Sequence, residues 1–197
     1  MVGVNQNDEE YPMKAADFNM QQALQFQPQH GLLKLGDSRV IVMGIEAIGS
    51  LYQELFNVGD IIAAQVVMRR FGEANGRERA RMVKDVFKPE NQMEWLAFGP
   101  TIHAWEGVGL PKLAVFEHDA AAKKFRLLVE FKDSYLAEQY TRVMGPATEP
   151  VCWQLAGYIA GYCSEVFGMD LHCRETKCVA KGDPHCEFDT RPRSEWL

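Results

Sequence analysis

Apolar side chains recur at two different spacings along the chain, and these spacings predict both strands and helices. The segment GLLKLGDSRVIVMG, residues 31–44, alternates on either side of the turn at Gly36-Asp37, which predicts a β-hairpin. Residues 45–55 place apolar side chains on one helical face, and Asp60 is a candidate N-cap for the helix that follows. The polar, Gln- and Asn-rich residues 1–28 are expected to form a flexible arm.

Glycines interrupt the helical pattern after residue 71. Gly72 and Gly76 predict a break, after which another helix is expected from Arg77 to about Val86. A proline ring clashes with the preceding helical turn, so Pro89 ends this helix.

The middle of the chain changes to a strand-like pattern. TIHAWEGVGLPKLAVFEHD and KKFRLLVEF, which lie between Thr101 and Phe131, predict consecutive antiparallel strands joined at residues 119–122. On such a strand, Thr101, His103 and Trp105 would point to the same face.

The C-terminal third returns to helices and ends in short strands. Helices are expected at about 133–143 and 150–167, with Gly168 ending the second, and two short strands follow. Because strands and helices lie in separate runs, the expected fold class is α+β, with an antiparallel sheet flanked by helices.

Composition and charge restrict the function. The chain of 197 residues is 47% hydrophobic and carries a formal net charge of −6, with its basic residues dispersed. Direct nucleic-acid binding is therefore not expected, and no apolar run is long enough to cross a membrane. The chain has no GxxxxGK[ST] phosphate-binding loop. Five cysteines, an odd number, argue against a complete disulfide framework. With no signal peptide in the sequence, a reducing cytoplasm is the expected location.

Four residues near the C-terminus predict a closed metal site. They are Cys152, Glu175, Cys178 and Cys186. The last two enclose the turn Lys181-Gly182-Asp183-Pro184, which brings their sulfurs back towards one point. Cys152 lies in the first turn of a predicted helix, where the helix N-terminus favours a thiolate. Three thiolates and one carboxylate suit a tetrahedral structural Zn²⁺, held by a small β-turn element at the C-terminal end of the fold.

Other interpretations of these residues stay open. A free cysteine is commonly a small buried hydrophobic residue. Cys173, His172 and His185 are alternatives to Glu175 as the fourth ligand. Cys163 lies three helical turns beyond Cys152, about 16 Å along the axis, and cannot share the site.

Four segments together carry a resemblance to a known family. They are VCWQLAGYIAGY, RETKCVAKGDPHCEF, RRFGEANG and GPTIHAWEG. The chain resembles the N-terminal sensor module of the XylR/DmpR-type activators of aromatic catabolism, which ends in a 4-vinyl-reductase-like domain. The resemblance implies a ligand-sensing domain at 29–189, divided into an N-terminal part at 29–130 and a 4-vinyl-reductase-like part at 131–189. Residues 190–197 would then be a tail or the start of a linker.

The resemblance also implies a function. In that family the four ligands bind a structural zinc beside an enclosed pocket for phenols or alkylbenzenes. Binding of the effector relieves repression of an ATPase domain, attached or on a partner, that drives sigma-54-dependent transcription. The family module is typically a homodimer.

The family's pocket residues are carried over one position at a time. His103 falls where the family has the histidine that hydrogen-bonds a phenolic hydroxyl, and Tyr158 and Tyr162 match pocket tyrosines. By pattern alone, these three are more often ordinary core residues. Phe131 stands where phenol receptors have a tryptophan, so the N–H donor is lost and a less polar aromatic is expected. The expected ligand-binding residues are His103, Trp105, Phe131, Tyr158, Tyr162 and Cys173, the last replacing a bulky aromatic side chain.

Two other classes of function fit parts of the sequence. A stand-alone lipid or hydrophobic-ligand carrier, or a scaffold, would have a long tunnel in place of a compact cavity near His103. An accessory role in vinyl reduction follows from the same resemblance, but the chain has no nucleotide-binding fingerprint. Enzyme activity is not expected, because four protein ligands leave a zinc ion no open position.

Overall fold

Helix-forming and strand-forming segments occupy separate runs of the chain and fold into an α+β structure. The computed structural model describes residues 17–196. The helices are α1 (Met20–Ala23), α2 (Glu46–Val58), α3 (Ile61–Phe87), α4 (Gln92–Glu106), α5 (Tyr135–Met144) and α6 (Trp153–Phe167). The strands are β1 (Leu24–Gln27), β2 (Leu32–Leu35), β3 (Ser38–Arg39), β4 (Leu110–Asp119), β5 (Lys124–Lys132), β6 (Leu171–Lys177) and β7 (Cys186–Pro192). The expected fold class is confirmed.

The N-terminal sheet is antiparallel and has the strand order β1-β2-β3. The hairpin predicted around Gly36-Asp37 forms, but it is shorter than expected because β3 ends at Arg39. Residues 20–27 form α1 and β1, and β1 pairs with β2, whereas the sequence placed them in a flexible arm at 1–28. Residues 1–16 of that predicted arm lie outside the described residues.

α3 is one uninterrupted helix of 27 residues, so the break predicted at Gly72 and Gly76 is wrong. The helix begins at the predicted cap, since Asp60 Oδ1 accepts a hydrogen bond from the Ala63 N–H at 2.8 Å. It ends where Lys88 takes a left-handed conformation with φ of 48°, just before the predicted stop at Pro89.

The two glycines of α3 serve close helix packing instead of a turn. A Cβ at Gly72 or Gly76 would overlap a backbone carbonyl oxygen of α6. α6 presents the reciprocal pair Gly157 and Gly161, where a Cβ would overlap carbonyl oxygens of α3. Spacings of four residues put each pair on one helical face. The two backbones are therefore in direct contact, an approach that only glycine permits.

Residues 101–106 belong to helix α4, so the strand predicted to begin at position 101 is wrong over this stretch. Asn91 caps the helix by accepting a hydrogen bond at 2.9 Å from the N–H three residues later. Pro100 lies inside the helix and has no N–H to donate to the carbonyl four residues earlier. Residues 94–99 are all buried, so the segment lacks the one-sided apolar pattern that identifies a surface helix.

The C-terminal sheet is antiparallel with the strand order β4-β5-β7-β6. The predicted pairing of β4 with β5 is confirmed, with an irregularity between Leu113 and Val115. The two predicted C-terminal strands, β6 and β7, extend this same sheet, for example through the pair Phe131↔Cys186. Residues 193–196 form a 3-10 turn after β7, where the sequence predicted a tail or linker.

α6 is the central element of the fold. Nearly all of its residues are buried, and it packs against α3, α4 and β6. Its N-cap is Cys152, a predicted metal ligand, and its middle carries Tyr158 and Tyr162, two predicted pocket residues. One helix therefore positions both candidate sites.

Candidate functional site

The four predicted metal ligands converge on one point. The ligand atoms of Cys152, Glu175, Cys178 and Cys186 all lie within 4.8 Å of one another. The Cys152 Sγ lies 4.0 Å from the Cys178 Sγ and 3.8 Å from the Cys186 Sγ. A tetrahedral Zn²⁺ with Zn–S bonds of about 2.3 Å separates its sulfurs by about 3.8 Å. The spacing of the sulfurs therefore fits a tetrahedral metal ion.

Backbone and hydroxyl groups surround the cluster and orient its ligands. The Cys152 N–H donates to Glu175 Oε2 at 2.7 Å. The Val179 N–H donates to the Cys186 Sγ at 3.4 Å, and the Ser134 Oγ lies 3.4 Å from the Cys152 Sγ. Contacts of this kind fix the positions of metal ligands and stabilise negative charge on them.

The predicted turn between Cys178 and Cys186 brings these two cysteines together. The Cys178 N–H donates to Asp183 Oδ2 at 2.8 Å, which closes the turn. Gly182 has a φ of 98°, a conformation that a residue with a Cβ rarely adopts. Because β6 ends at Lys177 and β7 begins at Cys186, the antiparallel pairing of these strands holds both ends of the turn.

Burial makes the cluster electrostatically unfavourable unless a cation is present. Burial, followed by the neighbouring sulfurs, raises the pKa of the Cys152 thiol. Burial and then the Cys178 sulfur raise the pKa of the Glu175 carboxyl to about 9. The Glu175 Oε1 is buried and has no hydrogen-bond partner among residues 17–196. The donor set and this orphaned oxygen fit a bound metal ion.

The alternative ligands do not join the cluster. Cys173, His172 and His185 are absent from the group of converging side chains found within residues 17–196. Cys163 also lies outside it, as its distance along α6 predicted.

A cavity of about 260 Å³ lies between α4, α6 and the strands β4 and β5. Its lining is mostly apolar and includes four predicted pocket residues, His103, Phe131, Tyr158 and Tyr162. An engineered apolar cavity of about 150 Å³ binds benzene. The cavity between α4 and α6 therefore has room for a single-ring aromatic molecule with small substituents.

His103 is the buried basic group of this cavity. Its side chain is 5% exposed, and its ring centroid lies 4.4 Å from that of Tyr158 and 6.1 Å from that of Phe131. Burial, followed by the charge of Arg79, lowers the pKa of His103 to about 3. The imidazole is therefore neutral near pH 7 and offers one N–H donor and one nitrogen acceptor. No hydrogen bond to this ring is formed within residues 17–196.

The two tyrosines of α6 differ in their hydrogen bonding. The Tyr162 hydroxyl donates to the Trp95 carbonyl at 2.7 Å. Tyr158 stacks on Tyr162, with ring centroids 5.9 Å apart, and its buried hydroxyl has no partner in the described part of the chain. Burial raises the pKa of both tyrosines, so both hydroxyls stay protonated.

Two of the six predicted pocket residues lie outside this cavity. Trp105 is 42% exposed and lines a separate cavity of about 510 Å³ beside the N-terminal sheet. It does not share a face with His103 because both are on a helix, where positions two apart point about 200° away from each other. Cys173 is buried on β6 and is not among the residues that line the α4–α6 cavity.

Several lining residues were not predicted from the sequence, among them Leu96, Pro100 and Cys163. Leu96 lies in the part of α4 that has no one-sided pattern, and Pro100 directly follows that part. Cys163 follows Ile159 by four positions and therefore lies on the same face of α6. This spacing could have predicted that both residues line the same cavity.

Exposed apolar side chains are concentrated on the outside of the N-terminal half. Residues 41–43 and the first half of α3 supply most of them, and such exposure is typical of surfaces that contact other proteins. They include Ile41, Val42, Met43, Val58, Ile61, Ile62, Val66, Val67 and Phe71. Among residues 17–196, no helix combines the length and the hydropathy that a membrane span requires.

A buried cluster of candidate metal ligands, an apolar cavity and a neutral histidine in its wall are arranged around one helix, and together they are features of a small-molecule-binding domain. The chain belongs to the family described as "Activator of aromatic catabolism", whose family model matches residues 19–119, just over half of the chain. A second family model, the V4R domain, matches residues 133–192. The resemblance inferred from the sequence is confirmed.

Two relatives are similar over most of this chain. The phenol regulator MopR of Acinetobacter guillouiae is 29% identical over 171 residues, which is 87% of this chain and 30% of that protein. The transcriptional regulatory protein XylR of Pseudomonas putida is 25% identical over 173 residues, which is 88% of this chain and 31% of that protein. The chain thus spans slightly less than a third of the length of either relative.

Two solved structures share the fold. The phenol-responsive sensory domain of the transcription activator PoxR, solved with phenol, superimposes with a TM-score of 0.84 at 28% identity, over 92% of this chain and 90% of that one. A vinyl-4-reductase family protein from Methanocaldococcus jannaschii has a TM-score of 0.50 at 19% identity, over 78% of this chain and 83% of that one. The second likeness concerns the fold alone.

Proposed function

We propose that this chain is a sensor domain that binds a single-ring aromatic effector in the α4–α6 cavity and thereby regulates transcription of genes for aromatic catabolism. The observation that carries the proposal is an apolar cavity of about 260 Å³ with the buried neutral His103 in its wall. Apolar burial supplies affinity in such a pocket, and a single polar group fixes the orientation of the ligand. Support also comes from the relatives, of which MopR is named a phenol regulator and the PoxR domain was solved with phenol.

The metal cluster holds a structural Zn²⁺ in this proposal. Three thiolates and the Glu175 carboxylate form a complete tetrahedral set, which leaves no coordination position for a substrate. The ion would tie the N-terminus of α6, through Cys152, to the turn between β6 and β7. Its effect is to stabilise the helix that forms one wall of the cavity.

The output of the sensor is proposed to pass through an ATPase domain that acts in sigma-54-dependent transcription in the cytoplasm. The chain matches only 30% of MopR and 31% of XylR, so this domain would be attached in a longer protein or supplied by a partner. The exposed apolar side chains of residues 41–43 and of the first half of α3 support a homodimer, because a second copy would cover them.

The dimensions of the cavity favour an aromatic effector over an acyl chain. A lipid carrier was expected to contain a long tunnel, whereas the α4–α6 cavity is compact and is bordered by His103, Tyr158 and Tyr162. We therefore prefer the sensor to a stand-alone carrier or to a protein of vinyl reduction.

Native mass spectrometry followed by calorimetric titration tests the proposed function. We expect one zinc ion per chain, and binding of at least one member of a panel of phenols and alkylbenzenes. His103→Ala should weaken aromatic binding by about 10-fold without unfolding the protein, since one hydrogen bond and some packing are lost. Trp105→Ala is the matched control, because Trp105 lies outside the cavity and its loss should leave the affinity unchanged.

A different set of results would contradict the proposal. A co-purified acyl chain, with no aromatic binding, would favour the carrier. Equal loss of binding in His103→Ala and Trp105→Ala would place the binding site elsewhere.

A further inference from the structure

We infer that Ser134 is a positioning residue for the cluster of candidate metal ligands, because its hydroxyl donates a hydrogen bond to the Cys152 sulfur and holds that ligand in place. The inference rests on the proposed binding of a metal ion by the cluster. Ser134 would set the position and the electron density of one sulfur without contacting the ion itself.

The Ser134 hydroxyl is buried and is committed to one partner. The residue is 4% exposed, and its Oγ lies 3.4 Å from the Cys152 Sγ. Ser134 occupies the N-cap position of α5, where a serine side chain usually accepts a hydrogen bond from the first turn of the helix. Within residues 17–196, this side chain forms no such cap and no hydrogen bond other than the contact with the sulfur. The hydroxyl therefore serves the cluster in place of the helix that it precedes.

Metal binding would fix the direction of this hydrogen bond. A cysteine binds a metal as the thiolate, which has no proton to donate, so the Ser134 hydroxyl becomes the donor. Hydrogen bonds of this kind orient metal ligands and tune the metal site. The Cys186 Sγ receives comparable support from a backbone group, the Val179 N–H at 3.4 Å. At Cys152 the donor is a side chain, which a substitution can remove.

The backbone before Ser134 brings its side chain to the cluster. β5 ends at Lys132, and Asp133 has a φ of 55°, a left-handed conformation that is uncommon for a residue with a Cβ. This turn leads from the exposed Asp133 to the buried Ser134. Three positions before Ser134, Phe131 pairs with Cys186 across the sheet. β5 therefore reaches the cluster twice, through this backbone pair and through the hydroxyl at position 134.

A contact that served only to pack the core would behave differently. Its loss would destabilise the chain equally with and without metal, so the affinity for metal would not change. A hydrogen bond to the thiolate is made only when the metal is bound, so its loss lowers the affinity and leaves more electron density on the sulfur.

Cobalt(II) added to the full chain in place of zinc tests the assignment, because its absorption includes charge-transfer bands from thiolate ligands. Ser134→Ala should move these bands to longer wavelength, since the Cys152 sulfur becomes more electron-rich. Competition with a chelator should show an affinity for Zn²⁺ that is about 10-fold lower. Ser134→Thr keeps the hydroxyl and should restore both values.

Ser164→Ala is the matched control. Ser164 is also buried, but its hydroxyl accepts a hydrogen bond from the Leu171 N–H and lies about 18 Å along α6 from Cys152. This control should leave the absorption bands and the affinity for Zn²⁺ unchanged, and thermal unfolding shows whether each variant is folded.

Other results separate the inference from the proposed function. If Ser134→Ala changes neither measurement, or if Ser164→Ala changes both equally, the role of Ser134 is overturned while the cluster remains a metal site. If the unaltered chain binds neither cobalt nor zinc, both are overturned. NMR of the unaltered chain with an NMR-active cadmium isotope needs no variant. A cross-peak between cadmium and the Ser134 hydroxyl proton supports the assignment, and its absence beside a cross-peak from the Val179 N–H overturns it.

Discussion

Replacing Gly76 by alanine tests the direct backbone contact between α3 and α6. The added Cβ would overlap the Tyr158 carbonyl oxygen and would lie 2.8 Å from the Tyr162 nitrogen. Both are backbone atoms of a buried helix, and they cannot rotate away as the end of a side chain can. The two helices must therefore separate to accommodate one methyl group.

The size of the effect follows from two opposing contributions. Alanine in place of glycine inside a helix normally stabilises a protein by about 1 kcal/mol. Overpacking a core costs about 1–3 kcal/mol, and the upper value applies here because backbone has to move. The free energy of unfolding of Gly76→Ala should therefore fall by about 2 kcal/mol. For a chain of this size, this corresponds to a decrease in Tm of about 4–8 °C.

Urea denaturation followed by circular dichroism measures this loss. Gly49→Ala is the matched control, because Gly49 also lies inside a helix, α2. There the atom nearest to an added Cβ is Gln139 Oε1 at 2.9 Å, which belongs to a side chain that can move. We expect the control to be neutral or stabilising. The reasoning would be refuted if Gly76→Ala were as stable as the unaltered chain, or more stable.

Three further predictions concern the metal cluster, the buried histidine and a helix cap. Cys186→Ser should bind no zinc, and a chelator should no longer lower its unfolding temperature, because metal binding is coupled to folding. One zinc per chain in this variant would contradict the assignment of Cys186 as a zinc ligand. The free energy of unfolding should fall as the pH drops from 6.5 towards 3, since the pKa of His103 is lowered to about 3 by folding and protonation therefore favours the unfolded chain. His103→Gln should flatten this part of the pH profile, and an unchanged slope would show that other groups cause it. Asp60→Ala should lower the free energy of unfolding by about 1 kcal/mol because the Ala63 N–H loses its cap, and an unchanged urea midpoint would refute that role.

The convergence of the four candidate metal ligands was predictable in part, because local chemistry determines much of their arrangement. The turn Lys181-Gly182-Asp183-Pro184 reverses the chain between Cys178 and Cys186, and its residue types predict that reversal without knowledge of the rest of the fold. The helix signal around Pro150 placed Cys152 at a helix N-terminus, where it was found as the N-cap. The closeness of Cys152 to this turn depends on tertiary packing. From the sequence, it could be predicted with support only from the family resemblance.

The errors occurred where tertiary packing overrides local pattern. α4 is buried on several sides, so its apolar residues show no helical period, and the presence of Pro100 argues against a helix when the sequence is considered alone. This error placed Trp105 in the pocket together with His103. Gly72 and Gly76 were interpreted as a break because their true partner, the glycine pair of α6, lies about 85 residues further along the chain.

The paired glycines of α3 and α6 also have a mechanical consequence. Tyr158 and Tyr162 on α6 form part of the cavity wall, while α3 turns exposed side chains such as Ile62 and Val67 outwards. Where two backbones touch, no layer of flexible side chains lies between them to absorb a displacement. A shift of α6 caused by an effector should therefore carry α3 with it as a rigid pair. The contents of the α4–α6 cavity would then set the position of an outer surface of the N-terminal half, on the far side of α3.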